Sequence, residues 1–158
     1  MECYHLNNLS KRVLATRRRV KGFFEKTVVY IHTHDQNGAK GIVMNRCFTI
    51  DEPKEIYVGG PCEKDARFML ELIAREDMVW IDNAENIRTI CQETQRLFQG
   101  HAVWASSQLE EEVLEGNWFI TKLSAADCLS IHRKRLYQHA IETVGITVDK
   151  MMAVEGSA

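Results

Sequence analysis

Two short apolar runs on either side of a polar turn dominate the hydrophobic pattern of the N-terminal third of the chain. Val28–Ile31 consists of β-branched and aromatic residues, and Gly41–Met44 follows the turn sequence Asp35–Gly38. The Asn-Gly step in this turn favours the positive φ angles that hairpin turns need. Both runs are more apolar than a strand with one solvated face would be. The pattern therefore predicts a β-hairpin within the core sheet.

Strand-like composition recurs in four further segments, Ile56–Val58, Met78–Ile81, Ala102–Trp104 and Trp118–Ile120. Arg67–Ala74 fits a strand or a helix equally well. These segments mix with helical patterns without a steady strand–helix–strand alternation. The mixture predicts an α+β fold with a mixed or antiparallel sheet and flanking helices, and it disfavours a doubly wound sheet.

A first helix is predicted where apolar residues recur every three or four positions between Ile87 and Phe98. Asn83 can cap its start, and Gly100 can end it. Cys91, Thr94 and Leu97 share the apolar stripe.

A capping box and a second N-terminal cap predict two more helices. Ser107–Glu110 places a serine three residues before a glutamate, and Gly116 can end the helix that follows. Ser124–Asp127 opens a final long helix that we expect to run to Gly145.

The chain has 158 residues, 45% hydrophobic and 27% charged, which suits one soluble domain over residues 1–158 with irregular tails at 1–12 and 149–158. A net charge of −2 gives no overall attraction to nucleic acid or anionic membrane. The apolar runs are too short to cross a bilayer, and the N-terminus lacks the apolar segment of a signal peptide. We expect no membrane association.

The cysteines are Cys3, Cys47, Cys62, Cys91 and Cys128, an odd number with no C-x-x-C pair. This spacing argues against a disulfide framework and against a structural zinc site. It predicts reduced thiols and a cytoplasmic location.

Three signatures together resemble the AlgH/YqgE family of bacterial proteins. The first is the hairpin, where the matching positions are Phe24, Lys26, Thr27–Ile31, His34, Gly38 and Gly41–Asn45. The second is a Gly-Gly-Pro turn, matched by Gly59, Gly60, Pro61, Asp65 and Phe68. The third is a tryptophan–glutamine–glutamate segment, matched by Gly100, Ala102, Trp104, Gln108, Leu109, Glu110, Glu112 and Trp118.

This chain departs from the family pattern at several positions. His101 and Val103 replace an aromatic residue and a glycine, and Ser107 replaces another glycine. The segment between Asn45 and Gly59 is shorter than usual, so we expect a helix normally found there in the family to be missing.

The resemblance implies a strongly bent sheet with flanking helices and a cytosolic protein. One family member is associated with the regulation of alginate production, which led to the label of transcriptional regulator. The family implies no catalytic mechanism. We therefore leave the molecular function unassigned, with a non-catalytic regulatory or binding role favoured over an enzyme.

A ligand groove is predicted from residues that the strands place at their ends. The Gly-Gly step lets the backbone approach a ligand closely, although it also suits a tight structural turn. The candidate ligand-binding residues are His34, Asn45, Gly59, Gly60, Pro61, Trp104 and Gln108. The partner would be a small molecule or another protein.

Catalytic and metal-binding alternatives rest on fewer residues. His32 and His34 are two apart on a strand, so they would share a face and could hold a metal with a third ligand. A hydrolase or transferase could use His34 with Asp65 or Glu110, and Cys62 could be a nucleophile. Capping of the turn by a hydrogen bond explains His34 more simply, and burial as a small apolar residue explains Cys62, so we assign no catalytic residue, metal or cofactor.

The remaining alternative is a DNA-binding regulator that contacts phosphates through a basic run. This run contains Arg17, Arg18, Arg19 and Lys21. It lacks interleaved aromatic residues and a helix-turn-helix pattern, so nucleic acid is the least favoured partner.

Overall fold

A mixed nine-stranded sheet forms the centre of the computed structural model, which describes residue 6 and residues 8–49, 56–74, 77–81 and 93–144. The predicted tail 149–158 and the segment 82–92 lie outside these ranges, whereas residues 6 and 8–12 of the predicted N-terminal tail lie within them. The strands are β1 (Val13–Thr16), β2 (Val28–Asp35), β3 (Gly38–Val43), β4 (Cys47–Thr49), β5 (Ile56–Val58), β6 (Cys62–Ala74), β7 (Asp77–Ile81), β8 (Gln95–Ala105) and β9 (Trp118–Ile120). The helices are α1 (Gln108–Leu114), α2 (Ala125–Ser130) and α3 (Arg133–Thr143), and Gly22–Phe24 forms a short 3₁₀ turn.

Strand β8 connects two groups of strands. The main order is β4-β5-β8-β3-β2-β1-β9, and β6 joins β8 while β7 joins β6. Residues 95–101 of β8 pair with β5 and β6, whereas residues 102–105 pair with β3. The partners change beside Gly100, whose φ is +79°. Within the described residues only the β5–β8 pairing is parallel, so the predicted α+β fold with a mixed sheet is confirmed.

The predicted hairpin is confirmed as β2 and β3, joined by Gln36 and Asn37. The positive φ falls on Gly38, at +135°, and the Asn37 backbone N–H donates to Asp35 Oδ1 at 2.8 Å. Successive residues of β2 are buried on opposite faces of the sheet. This explains why its apolar run is continuous.

One face of the sheet packs against α2 and α3, and the other packs against α1. Tyr30 and Ile42 belong to the first cluster with Leu136, whereas Val29 and Ile31 belong to the second, which includes Leu109, Trp104 and Trp118. Full burial of each large apolar side chain stabilises the fold by roughly 1.5–3 kcal/mol.

The helix predicted between Ile87 and Phe98 is wrong at its C-terminal end. Leu97 and Phe98 are fully buried residues of β8, and they belong to clusters on opposite faces of the strand. In a strand that is covered on both faces, neighbouring residues can both be apolar. Such an adjacent pair can complete the three- and four-residue spacing that is typical of a helix. The rest of this prediction lies outside the described residues. Arg67–Ala74, which the pattern left open, belongs to β6.

The capping box predicted at Ser107 is also wrong. Ser107 has φ +66°, and its side chain makes no cap hydrogen bond to the described first turn of α1. Instead, Gln108 Oε1 accepts from the Ala105 backbone N–H at 2.9 Å. The predicted end at Gly116 is confirmed: its N–H bonds to the Val113 carbonyl, and the next N–H bonds to the Glu112 carbonyl, as in a Schellman motif.

The predicted final helix is two helices. The predicted cap at Ser124–Asp127 is confirmed and has the form of a capping box, with Ser124 Oγ accepting from the Asp127 backbone N–H. The chain then becomes extended at Ile131, and His132 Nδ1 caps α3 by accepting from the Lys134 backbone N–H at 3.2 Å. No proline or glycine marks this break. The apolar periodicity continues across it, and the sequence pattern therefore predicted a single helix.

Candidate functional site

An open cavity of about 680 Å³ lies between the β2–β3 hairpin and strands β6 and β8. Its volume falls within the range of small-molecule binding sites. We call it the His101 cavity. Its polar and aromatic walls include His32, Asp35, Lys40, Glu63, Phe68 and His101.

His101 is the most unusual residue of this wall. It is 3% exposed, and neither ring nitrogen makes a hydrogen bond within the described residues. Its Nε2 lies 3.3 Å from Glu63 Oε1, but the geometry of this ion-pair contact is not that of a hydrogen bond, and Glu63 is itself exposed. The imidazole stacks on Phe68 with the ring centroids 5.0 Å apart. A buried polar group without a partner costs about 1–3 kcal/mol, so this one requires an explanation.

The Gly-Gly-Pro turn helps to position His101. A Cβ built at Gly60 would overlap the backbone of His101, and one built at Gly59 would overlap the carbonyl of Gly100. The glycines therefore allow β8 to pass directly against the end of β5. The sequence suggested that a ligand approaches the backbone of the Gly-Gly step closely. In the structure, strand β8 makes this close approach.

A β-bulge shapes the hairpin side of the cavity. The β2–β3 register shifts between Ile31 and Thr33, which leaves His32 as the extra residue. His32, Thr33 and Asp35 line the cavity, whereas His34 does not. The expectation that His32 and His34 share a face is therefore wrong, because the bulge disturbs the simple alternation.

The charges around the cavity are mixed. Asp35 and Glu63 are acidic, Lys40 is basic, and His101 can donate or accept. Aromatic rings of Phe68 and Trp104 provide apolar surface beside them. Such a wall can orient a polar molecule that has both an apolar part and hydrogen-bonding groups.

His34 belongs to a separate buried contact. Its Nδ1 accepts from the Leu9 backbone N–H at 2.8 Å, and its Nε2 lies 2.7 Å from Glu110 Oε1. Since Nδ1 accepts, Nε2 carries the hydrogen and donates to the carboxylate. The His34 side chain is 0% exposed, so a substrate cannot reach this ring. The predicted contact with Glu110 forms, but Asp65 lies at another cavity, beside Pro61.

Gln108, Trp104 and Trp118 meet at a single carboxylate. Glu112 Oε1 accepts from the Trp104 and Trp118 indole N–H groups at 3.1 and 2.9 Å, and Glu112 Oε2 accepts from Gln108 Nε2 at 3.1 Å. Four side chains are thus tied together between α1, β8 and β9. This arrangement joins core elements, and only Trp104 of the four also lines the His101 cavity.

The predicted groove is not one concavity. Trp104 lines the His101 cavity, Gly60 and Pro61 line one of about 270 Å³, and Asn45 lines one of about 550 Å³. The Asn45 side chain accepts from the Val28 backbone N–H and donates to the Lys26 carbonyl, both at 3.0 Å.

Cys62 is placed opposite His101 in the β6–β8 register. Its thiol makes no hydrogen bond to the ring, and the cavity wall at this point is formed by the next residue, Glu63. This proximity has no local signal in the sequence, because it arises only from strand pairing.

The basic run is largely occupied by contacts within the molecule. Arg17 lies over the ring of Phe119, 4.4 Å from its centroid, and Arg19 donates to the Glu115 carbonyl and to Asn117. Lys21 pairs with a glutamate four residues later. Arg18 instead lines the cavity of about 550 Å³.

The described residues offer neither a metal site nor a membrane-spanning helix. No three His, Cys, Asp or Glu residues among them are grouped to hold a metal ion. None of the described helices is long and apolar enough to cross a membrane.

Comparison with known proteins identifies the family. A profile described as AlgH-like (DUF179) matches residues 13–149. The chain belongs to the AlgH-like family. A UPF0301 protein of Shewanella denitrificans is 23% identical, with 96% of this chain and 99% of the relative covered. A UPF0301 protein of Streptomyces coelicolor is 25% identical, with 86% of each chain covered.

Solved structures agree with this AlgH-like fold. The solution structure of the AlgH protein from Pseudomonas aeruginosa matches with a TM-score of 0.67 and 19% identity, over 97% of both chains. A crystal structure of a Corynebacterium diphtheriae protein also gives a TM-score of 0.67, at 20% identity, over 88% of this chain and 89% of the other. At this level of identity the likeness concerns the fold.

Proposed function

We propose that this AlgH-like protein is a non-catalytic regulatory protein that binds a small polar molecule in the His101 cavity. The observation that carries the proposal is the buried imidazole of His101, which lines an open cavity and has no hydrogen-bond partner within the described residues. Both ring nitrogens are buried, so a ligand reaches Nε2 only when the exposed Glu63 side chain beside it turns away, and the new hydrogen bond would then remove the cost of leaving the ring unsatisfied. The Phe68 ring beneath it favours a ligand with a flat or apolar part.

We further propose that this binding takes place in the cytoplasm of a bacterial cell. The matching relatives come from bacteria, and the described cysteines Cys47, Cys62 and Cys128 are free thiols, which suits a reducing compartment. Regulation would follow if the ligand shifts the protein between partner-bound and free populations.

The test is a thermal-shift screen of the full chain against a panel of small metabolites, followed by calorimetry. At least one compound should raise the melting temperature. The variant His101→Phe, which restores the aromatic residue of the family pattern, should lose that response. It should unfold at the same temperature as the wild type or higher, because the unsatisfied imidazole is gone.

His139→Phe serves as the matched control, because it makes the same substitution at an exposed position away from this cavity. The control should respond like the wild type. A panel with no responding compound, or a His101→Phe variant that binds as tightly as the wild type, would overturn the proposal.

The enzyme and DNA-binding alternatives have weaker support. A hydrolase that uses His34 would need access to a ring that is 0% exposed. DNA binding through Arg17 and Arg19 would compete with their contacts to Phe119 and to the end of α1.

A further inference from the structure

A second cavity, of about 550 Å³, lies where the turn after β1, the end of β3 and helix α3 meet. We call it the basic cavity. Its charged walls are Arg18, Lys26, Arg46, Arg133 and Lys134, with Glu25 as the one acidic residue among the described lining residues.

This concentration of positive charge does not follow from the composition, because the whole chain carries a net charge of −2. The one carboxylate among the described lining residues is partly engaged: Glu25 Oε1 lies 3.4 Å from Lys21 Nζ, which is another cation. Like charges that converge on a concave surface repel one another and raise the local concentration of anions.

The start of α3 adds to this field. Arg133, Lys134 and Arg135 occupy the first turn of this 11-residue helix, where the helix dipole favours negative charge. Cations placed there are unfavourable. A neighbouring cavity lined by His132, Lys134 and Arg135 extends the basic surface, and its described lining contains no carboxylate. A bound anion would offset the unfavourable interaction between these cations and the N-terminus of α3.

The cavity walls are held in place by contacts of their own. Arg46 Nη2 donates to the Glu25 carbonyl at 2.8 Å, and its guanidinium lies 5.0 Å from the centroid of the Phe23 ring. Burial lowers the pKa of Arg46, and the nearby Glu25 carboxylate partly opposes this effect. The Tyr137 hydroxyl donates to the Thr16 carbonyl at 2.6 Å. A guanidinium held in this way is preoriented for a phosphate.

We propose that the basic cavity binds a soluble ligand with two or more linked phosphate groups, such as inorganic pyrophosphate or a nucleoside diphosphate. Five cations from four separate segments can contact more than one phosphate at once. A cavity of this volume suits a small molecule better than a duplex. This site shares no residue with the His101 cavity, so it stands or falls independently of the function proposed above.

The experiment is isothermal titration calorimetry of the full chain with pyrophosphate, ADP and orthophosphate at low salt. Pyrophosphate and ADP should bind more tightly than orthophosphate, and their affinity should fall as the salt concentration rises. The double variant Arg18→Gln, Lys134→Gln should weaken binding at least tenfold. Lys122→Gln, which removes an exposed lysine that lines none of these cavities, should bind like the wild type.

A short DNA duplex forms a separate arm of the same titration. The proposal is overturned if neither pyrophosphate nor ADP binds, if the double variant binds as tightly as the wild type, or if Lys122→Gln is equally impaired. Binding of DNA without binding of pyrophosphate or ADP would also overturn it and would reassign the surface to nucleic acid.

Discussion

The His34 imidazole joins the segment before β1 to helix α1 by donating from Nε2 to Glu110 Oε1 across 2.7 Å. Its other nitrogen accepts from the Leu9 backbone N–H at 2.8 Å, and Leu9 is fully buried. His34 and Glu110 are 76 residues apart in the sequence. A ring that uses both nitrogens in this way acts as a structural cross-link.

Removal of the acceptor should therefore destabilise the fold. Glu110→Ala leaves the buried Nε2–H without a partner and should lower the free energy of unfolding by about 1–3 kcal/mol. Glu110→Gln keeps an acceptor oxygen and should cost less. Urea denaturation measures both, and Glu111→Ala, at the exposed neighbouring position, should stay within about 0.5 kcal/mol of the wild type. Equal stabilities for all four proteins would contradict the cross-link.

The Glu112 carboxylate predicts a spectroscopic effect. Glu112→Ala removes the acceptor of two indole N–H groups and should destabilise the fold by about 2–3 kcal/mol, since hydrogen bonds to charged groups are the stronger ones. The native fluorescence of Trp104 and Trp118 should change as well. Glu112→Gln, which retains an oxygen, should give a smaller change in both stability and emission, and the reverse order would be inconsistent with this role.

Gly60 should tolerate no side chain. Gly60→Ala places a methyl group into the backbone of His101, and overlap with backbone cannot be relieved by a rotamer change. We expect a loss of more than about 3 kcal/mol or no soluble protein, beyond the 1–3 kcal/mol usual for overpacking. Gly22→Ala is the control: its φ is +85° but no atom lies within 4 Å, so only backbone strain of about 1–2 kcal/mol applies. If chemical denaturation gave the two variants equal stability, this would be evidence against the close contact between Gly60 and the backbone of His101.

Stability at alkaline pH should depend on Cys128. Burial raises the pKa of the Cys128 thiol from 9.0 to about 12, and burial also raises the pKa of Tyr30. Below pH 9 both the folded and the unfolded chain keep the thiol proton. Above it the unfolded chain releases this proton first, so stability is lost as the pH rises towards the folded pKa. The slope contributed by this thiol is at most about 1.4 kcal/mol per pH unit.

Urea denaturation at about pH 8 and about pH 10.5 measures this effect. Cys128→Ala should show a smaller loss between the two pH values than the wild type, even if it is less stable at pH 8. A loss of equal size in both proteins would place the alkaline sensitivity on other groups.

Local signals identified the hairpin, the strand at Trp118 and the ends marked by Gly116 and Ser124. Each of these signals depends on residues that are neighbours in the sequence, and the predicted elements are present in the structure. The break at Ile131 and the strand identity of Leu97 were missed, because both depend on what packs against the segment. Ser107 failed as a cap because Gln108 supplied the competing hydrogen bond.

The candidate sites were harder to predict, because strand pairing and helix docking assemble them. His101 stood out in the sequence only as a departure from the family pattern, and nothing local indicated that both of its ring nitrogens would be buried. The basic cavity draws Arg18 from the predicted run but adds Arg46 and Arg133, which are 28 and 115 residues further along the chain. No spacing rule connects such positions.

Strand β8 has a consequence for how the molecule opens. It is hydrogen-bonded to β3 at one end and to β5 and β6 at the other, so neither group of strands can separate without breaking its ladder. Local fraying therefore stops at this strand, and the backbone amides of its buried middle, around Phe98 and Ala102, should exchange with solvent only when the whole domain unfolds. The two halves of the sheet would then lose protection together, as a single cooperative unit.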